Sequence, residues 1–123
     1  MREIKFRAWD KEEQEMLDWD KFFNLDIAQV FESKGSWGIY PMQYTGLKDL
    51  NNTEIYEDDI IVWAEETNHG ISLFKAVVVW SEDSLEYIAL NELGWSMCLY
   101  EIIEKNGYIV GNVHENSELL KTQ

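Results

Sequence analysis

Ile4, Phe6 and Ala8 alternate with Lys5, Arg7 and Trp9, a period of two that predicts a β-strand with one buried face. The polar run Asp10-Lys11-Glu12-Glu13 predicts a turn, and Met16-Leu17-Asp18-Trp19 the return strand of a hairpin. Phe22, Phe23, Ile27, Val30 and Phe31 are spaced in a helical manner, which predicts a short helix across Phe22–Phe31, ended by Glu32-Ser33-Lys34-Gly35. Trp37 to Tyr44 reads as extended. Pro41 has no N–H to give to a ladder and confines that stretch to an edge or a strand start. Gly46 to Asn52 reads as a loop, with Asp49, Asn51 and Asn52 supplying turn chemistry.

In the second half, Ile55 leads to the β-rich run Ile60-Ile61-Val62-Trp63, and Asn68-His69-Gly70 predicts a turn. Ile71 to Trp80 is the longest strand expected, and its end Ala76-Val77-Val78-Val79-Trp80 predicts burial on both faces. After the turn Ser81–Ser84, Leu85, Tyr87 and Ala89 alternate with Glu86, Ile88 and Leu90. Cys98–Ile103 and Tyr108–Val113 flank Asn106-Gly107, a hairpin signal because a tight turn of that kind needs residues that tolerate positive φ. Glu115–Leu120 predicts a last helical turn. The total is seven or eight short strands and one or two short helices. The expected fold is mainly β: a single domain over residues 1–123, with short antiparallel strands forming a barrel- or sandwich-like sheet.

Composition supports that picture and narrows function. At 123 residues, 46% hydrophobic and 14% aromatic, the chain has material for one core. Cys98 is the only cysteine, so no internal disulfide is available. No apolar run approaches the ~20 residues of a membrane-crossing helix. The start Met1-Arg2-Glu3-Ile4-Lys5-Phe6-Arg7 lacks the apolar stretch of a signal peptide, so a cytoplasmic protein is expected. Lys and Arg number 10 against 24 Asp and Glu, a net charge of −14. That balance argues against direct nucleic-acid binding, because affinity for phosphate backbones comes from basic side chains displacing counterions. The charge is uneven: residues 51–123 hold fourteen acids against Lys75, Lys105 and Lys121, a net of −11. It reads either as a solubilising surface or as an acidic face aimed at a basic partner.

Three blocks resemble one family. Arg2–Trp9 resembles the opening of YopX-type phage and prophage proteins. Gln43-Tyr44-Thr45-Gly46-Leu47-Lys48-Asp49, then Glu54-Ile55-Tyr56-Glu57 and Asp59-Ile60, is similar to that family's central signature. Ile109-Val110-Gly111-Asn112-Val113-His114-Glu115-Asn116 with Glu118-Leu119-Leu120 is similar to its closing segment. The chain departs from the pattern at Asn52 and Asp58, where glycine is usual, and at Ser117, where proline is usual. Asn52 can keep a glycine-type turn because asparagine tolerates positive φ, whereas Asp58 predicts a different turn. The resemblance implies a mostly β fold and a phage or prophage gene in a bacterial host. It carries no activity, cofactor or catalytic residue.

Candidate chemistry is sparse. Glu54, Glu57, Asp58 and Asp59 form the densest carboxylate group beside the signature, and oxygen ligands of this kind suit Mg²⁺ or Ca²⁺; the spacing fits no EF-hand or nuclease motif. With His69, His114 and Cys98 as the only nitrogen or sulfur ligands, a zinc site is not indicated, and no cofactor is expected. Cys98, between Met97 and Leu99, reads as a structural thiol. There is no nucleophile-elbow or phosphate-binding glycine motif. Trp9, Trp19, Trp37, Trp63, Trp80 and Trp95 read mainly as core, with one or two available for a binding face. Tyr44, Thr45, Gly46, Leu47, Lys48 and Asp49 are the candidate binding residues, with two readings open: a recognition loop, or a loop that folds back and tightens the sheet. The leading expectation is a non-enzymatic module acting by protein–protein contact with an unidentified partner, or as a homo-oligomer. Behind it stand an acidic mimic of nucleic acid and a metal-dependent enzyme built on the Glu54 cluster.

Overall fold

The computed structural model describes residues 3–120; Arg2 of the opening block and Lys121 of the charge count lie outside them. The chain forms two antiparallel sheets. The first is ordered β2 (Glu15–Leu17), β1 (Phe6–Asp10), β3 (Ile39–Lys48), β4 (Glu54–Tyr56). The second is ordered β8 (Ser96–Cys98), β7 (Glu86–Leu90), β6 (Gly70–Ser81), β5 (Asp59–Thr67), β9 (Tyr108–Asn112). The mainly β fold with few short helices is as the patterning predicts.

The N-terminal hairpin forms as expected, with Asp10 accepting a hydrogen bond from the Glu13 N–H across the turn. Its register pairs Ala8 with Leu17, which puts both side chains into one core. The return strand stops at Leu17, however, because Asp18 caps a helix by accepting from the Lys21 N–H. The single helix predicted across Phe22–Phe31 is two: α1 (Trp19–Phe23) and α2 (Ile27–Ser33). A second aspartate cap, Asp26 to the Gln29 N–H, restarts the helix and explains the break. The pair lays Phe22 and Val30 over Ala8 and Leu17, with Phe6, Trp19, Ile27 and Ile39 around them.

Pro41 pairs with Ala8 of β1, in the half of β3 that β4 does not reach, so its missing N–H costs no ladder bond on that open side. β3 continues to Lys48, so the first part of the expected loop is strand, and only the turn from Asp49 to Thr53 leaves the sheet.

The larger core joins Ile55, Ile61, Trp63, Ala76, Val78 and Ala89 from the sheets with Leu99 and Ile102. Those last two come from α3 (Leu99–Glu104), where a strand was expected, and Asn106-Gly107 is not a hairpin turn. It is the helix stop: Asn106 has φ 63°, its N–H donates to Ile103 O, and the Gly107 N–H reaches back to Ile102 O at 2.9 Å. Asn-Gly marks either structure, because both need a residue at positive φ. Gly107 is further required by space, since a Cβ there would lie 2.5 Å from Ile102 Cγ2. β9 pairs with β5 instead of with the preceding segment.

Burial on both faces of β6 holds only in part. Ala76 and Val78 are buried, Val77 and Val79 half-buried, and Trp80 exposed. A 3₁₀ turn at Ser117–Leu120 folds toward the outer side of this sheet, where Lys75 donates to the Leu119 carbonyl.

Candidate functional site

The chain passes from the first sheet to the second through Glu57-Asp58, between β4 and β5. The carboxylate cluster sits at this joint. Backbone bonds stitch the turn on three sides: Glu57 N–H to Gln43 O, Asp58 N–H to Val78 O, and Val113 N–H to Asp58 O, at 2.8–3.0 Å. Asp58 has φ 70°, so it takes the left-handed conformation open to glycine, and the different turn expected there is not formed. Asn52, at φ 64°, behaves as expected.

Each acid of the cluster has its own partner. Glu54 pairs with Lys5, whose ammonium is pushed up to about 12, chiefly by that bond, and lies over the Tyr44 ring. Glu57 accepts from the Gln43 N–H; burial raises its carboxyl, and the bond from Gln43 opposes the rise. Asp58 Oδ2 lies 3.0 Å from His114 Nε2, and the His114 ring stacks between Trp9 and Tyr40. Asp59 is fully buried, takes Arg7 Nη2 at 2.7 Å on one oxygen and the Tyr56 N–H at 2.7 Å on the other. Burial pushes its carboxyl up even so, with Arg7 and the Tyr56 N–H pulling the other way. The Arg7 guanidinium lies over the Tyr56 ring, and its Nε is buried with no hydrogen-bond acceptor among the described residues. Four carboxylates that each face a different partner do not form a chelate. Among the described residues, no three His, Cys, Asp or Glu side chains converge as metal ligands.

The six candidate binding residues are mostly internal. Tyr44, Thr45 and Asp49 are buried, Gly46 and Leu47 half-buried, and only Lys48 is exposed. Thr45 Oγ1 donates to Ile55 O at 2.8 Å and accepts from the Leu47 N–H, which ties β3 to β4. Asp49 accepts the Asn51 and Thr53 N–H groups on one oxygen and the Ile109 N–H, 60 residues away, on the other at 2.8 Å. Tyr44–Lys48 thus belong to β3, and Asp49 opens the turn that it ties to β9.

The closing block is built the same way. Asn112 Oδ1 accepts from the His114 and Glu115 N–H groups, and its amide donates to Glu115. The Asn116 side chain returns to the Asn112 N–H and fills the space over Gly111, where a Cβ would sit 2.4 Å from Asn116 Oδ1. Cys98 is half-buried, and its thiol is raised first by a hydrogen bond to Glu86 and then by burial, which makes it a poor nucleophile at neutral pH.

Sequence reasoning missed three features. A recess of about 250 Å³ opens beside the joint between Gln43, Glu57, Trp80 and Tyr87. Three tryptophans, Trp37, Trp80 and Trp95, are exposed instead of one or two. On the outer face of the β5–β6 hairpin, Ile71 and Leu73 are 75% and 74% exposed. Alternation along β6 shows that these two share a face, but nothing in their spacing says whether that face is covered.

The family model described as YopX protein matches residues 24–121, taking in the central and closing blocks and not the opening one. Among solved structures, the crystal structure of protein EF1440 from Enterococcus faecalis is similar over 98% of this chain and 100% of its own, with 25% identity and a TM-score of 0.67. No curated protein matches the chain. A family match over most of the chain, on a fold shared from end to end with a solved structure, establishes that this protein belongs to the YopX family.

Proposed function

We propose that this protein is a non-enzymatic module that works by contact with another protein, in the phage or prophage setting that its signature blocks imply. The observation that carries this reading is the outer face of the second sheet. There Ile71 and Leu73 stand nearly free, with the exposed Ala64 paired directly across from Leu73. Contiguous exposed apolar side chains on a sheet surface mark contact sites. Signature side chains such as Thr45 and Asp49 are engaged in holding the sheets together, and this apolar face lies apart from them.

The test compares the native chain with an Ile71→Asp/Leu73→Asp double variant as baits in a bacterial lysate. A protein retained by the native chain and lost by the variant, at unchanged melting temperature, supports the reading. Equal retention by both baits refutes it. If the partner is a second copy, native mass spectrometry reads a multiple of 14.6 kDa for the native chain and a monomer for the variant.

A second reading, an acidic mimic that occupies a DNA-binding protein, is favoured by the net −11 over residues 51–123. It requires partner binding that weakens steeply with salt.

A further inference from the structure

We propose that the recess lined by Gln43, Glu57, Trp80 and Tyr87 receives the guanidinium group of an arginine side chain from a partner protein. The site lies where β3, the β4–β5 turn, β6 and β7 meet, so its walls come from both sheets. Trp80 and Tyr87 stand with ring centroids 5.0 Å apart at 72°, giving two aromatic walls set at an angle, and Trp80 is 44% exposed. Glu57 supplies a carboxylate that forms no ion pair within 4.0 Å among the described residues; Arg7, the adjacent cation, meets Glu57 only at its backbone carbonyl and gives its charge to Asp59.

Chemistry selects the ligand. An anion is repelled by Glu57 and the neighbouring Asp58. A purely apolar group would bury a carboxylate whose one fixed partner, the Gln43 N–H, does not make up for its lost hydration. A guanidinium is flat enough to lie on the Trp80 indole, and its edge donates in parallel to a carboxylate and to the Gln43 side-chain oxygen. A recess of about 250 Å³ falls below the range of drug-sized ligand pockets and suits one side chain. Burial already raises the Glu57 carboxyl, and an entering cation would return it toward its ordinary value. The net −14 draws basic partners toward the molecule as a whole.

The protein-contact reading above supplies only the source of the group, and a small probe tests the recess by itself. In a ¹H–¹⁵N NMR titration of the full chain with N-acetyl-L-arginine amide, the Trp80 indole and Gln43 amide signals should shift saturably. Glu57→Gln keeps an oxygen for the Gln43 N–H, and Trp80→Ala alters an exposed ring. Each should weaken binding at least about tenfold, the equivalent of one charge-assisted hydrogen bond, with the remaining indole signals in place. No saturable shift, equal shifts with N-acetyl-L-glutamine amide, or undiminished affinity in Glu57→Gln would each overturn the assignment. A lysine probe binding as tightly as the arginine one would overturn the preference for guanidinium. Equal retention by the native and Ile71→Asp/Leu73→Asp baits, with arginine binding intact, would sink the contact surface and leave the recess standing.

Discussion

Asp49 shows how a signature residue earns its place by what it accepts. It takes three backbone N–H groups, two within its own turn and the third from Ile109 of β9. Asp49→Ala strands donors in partly buried positions and should cost about 3 kcal/mol in urea unfolding, whereas Lys48→Ala, one residue away and exposed, should stay within about 0.5 kcal/mol. Comparable losses at both would contradict the division between a buried clamp and a solvated neighbour. The spacing of Tyr44–Asp49 marked the segment but not its role, because the partner of Asp49 comes from a strand 60 residues on. Asp58 teaches the same point through the backbone. It holds φ 70° although it is not glycine, and the hydrogen bonds on three sides of the turn over-determine that conformation.

At the scale of elements, local signals decided where they were unambiguous and failed where two structures share a signal. The Asp10 turn and the long β6 strand follow from pattern alone. Asn106-Gly107 serves a hairpin or a helix stop equally well, and the preceding Leu99, Ile102 and Ile103 break the tie only once their burial is known. In α3, Leu99 and Ile102 share the core side; in a strand they would point to opposite faces. Ile102→Ala should therefore cost about 3 kcal/mol, and Glu101→Ala, on the exposed side, almost nothing. Carbon chemical shifts across Leu99–Glu104 should be helical. Strand-like shifts there would overturn the assignment. The split of α1 from α2 was legible in principle, since Asp18 and Asp26 are both good caps; the aromatic spacing of Phe22–Phe31 obscured it.

At the scale of the molecule, the two sheets are joined by one turn and braced by Arg7–Asp59 and His114–Asp58. This joint has a pH signature. Burial raises the carboxyl of Glu57 in the folded chain, so the folded state binds that proton more tightly than the unfolded one. The penalty for keeping Glu57 ionised is fully present above the raised value and is relieved as the pH falls from there toward the ordinary 4.5. Asp59 acts in the same direction, and reduced self-repulsion at net −14 adds to it. The melting temperature should rise on mild acidification from neutral pH, and by less in Glu57→Gln. An identical slope in the two proteins would remove Glu57 as a cause. What the sequence determined by itself was strand content, the first hairpin, the family and the concentration of acid after residue 50, because periodicity, turn residues and charge are properties of neighbours along the chain. Only tertiary structure decided that the four acids face four different partners, that Asp49 ties its turn to β9, and that Ile71 and Leu73 are exposed among the described residues. Those facts depend on groups distant along the chain being brought within hydrogen-bond reach of each other, or, among the described residues, on no group being brought there.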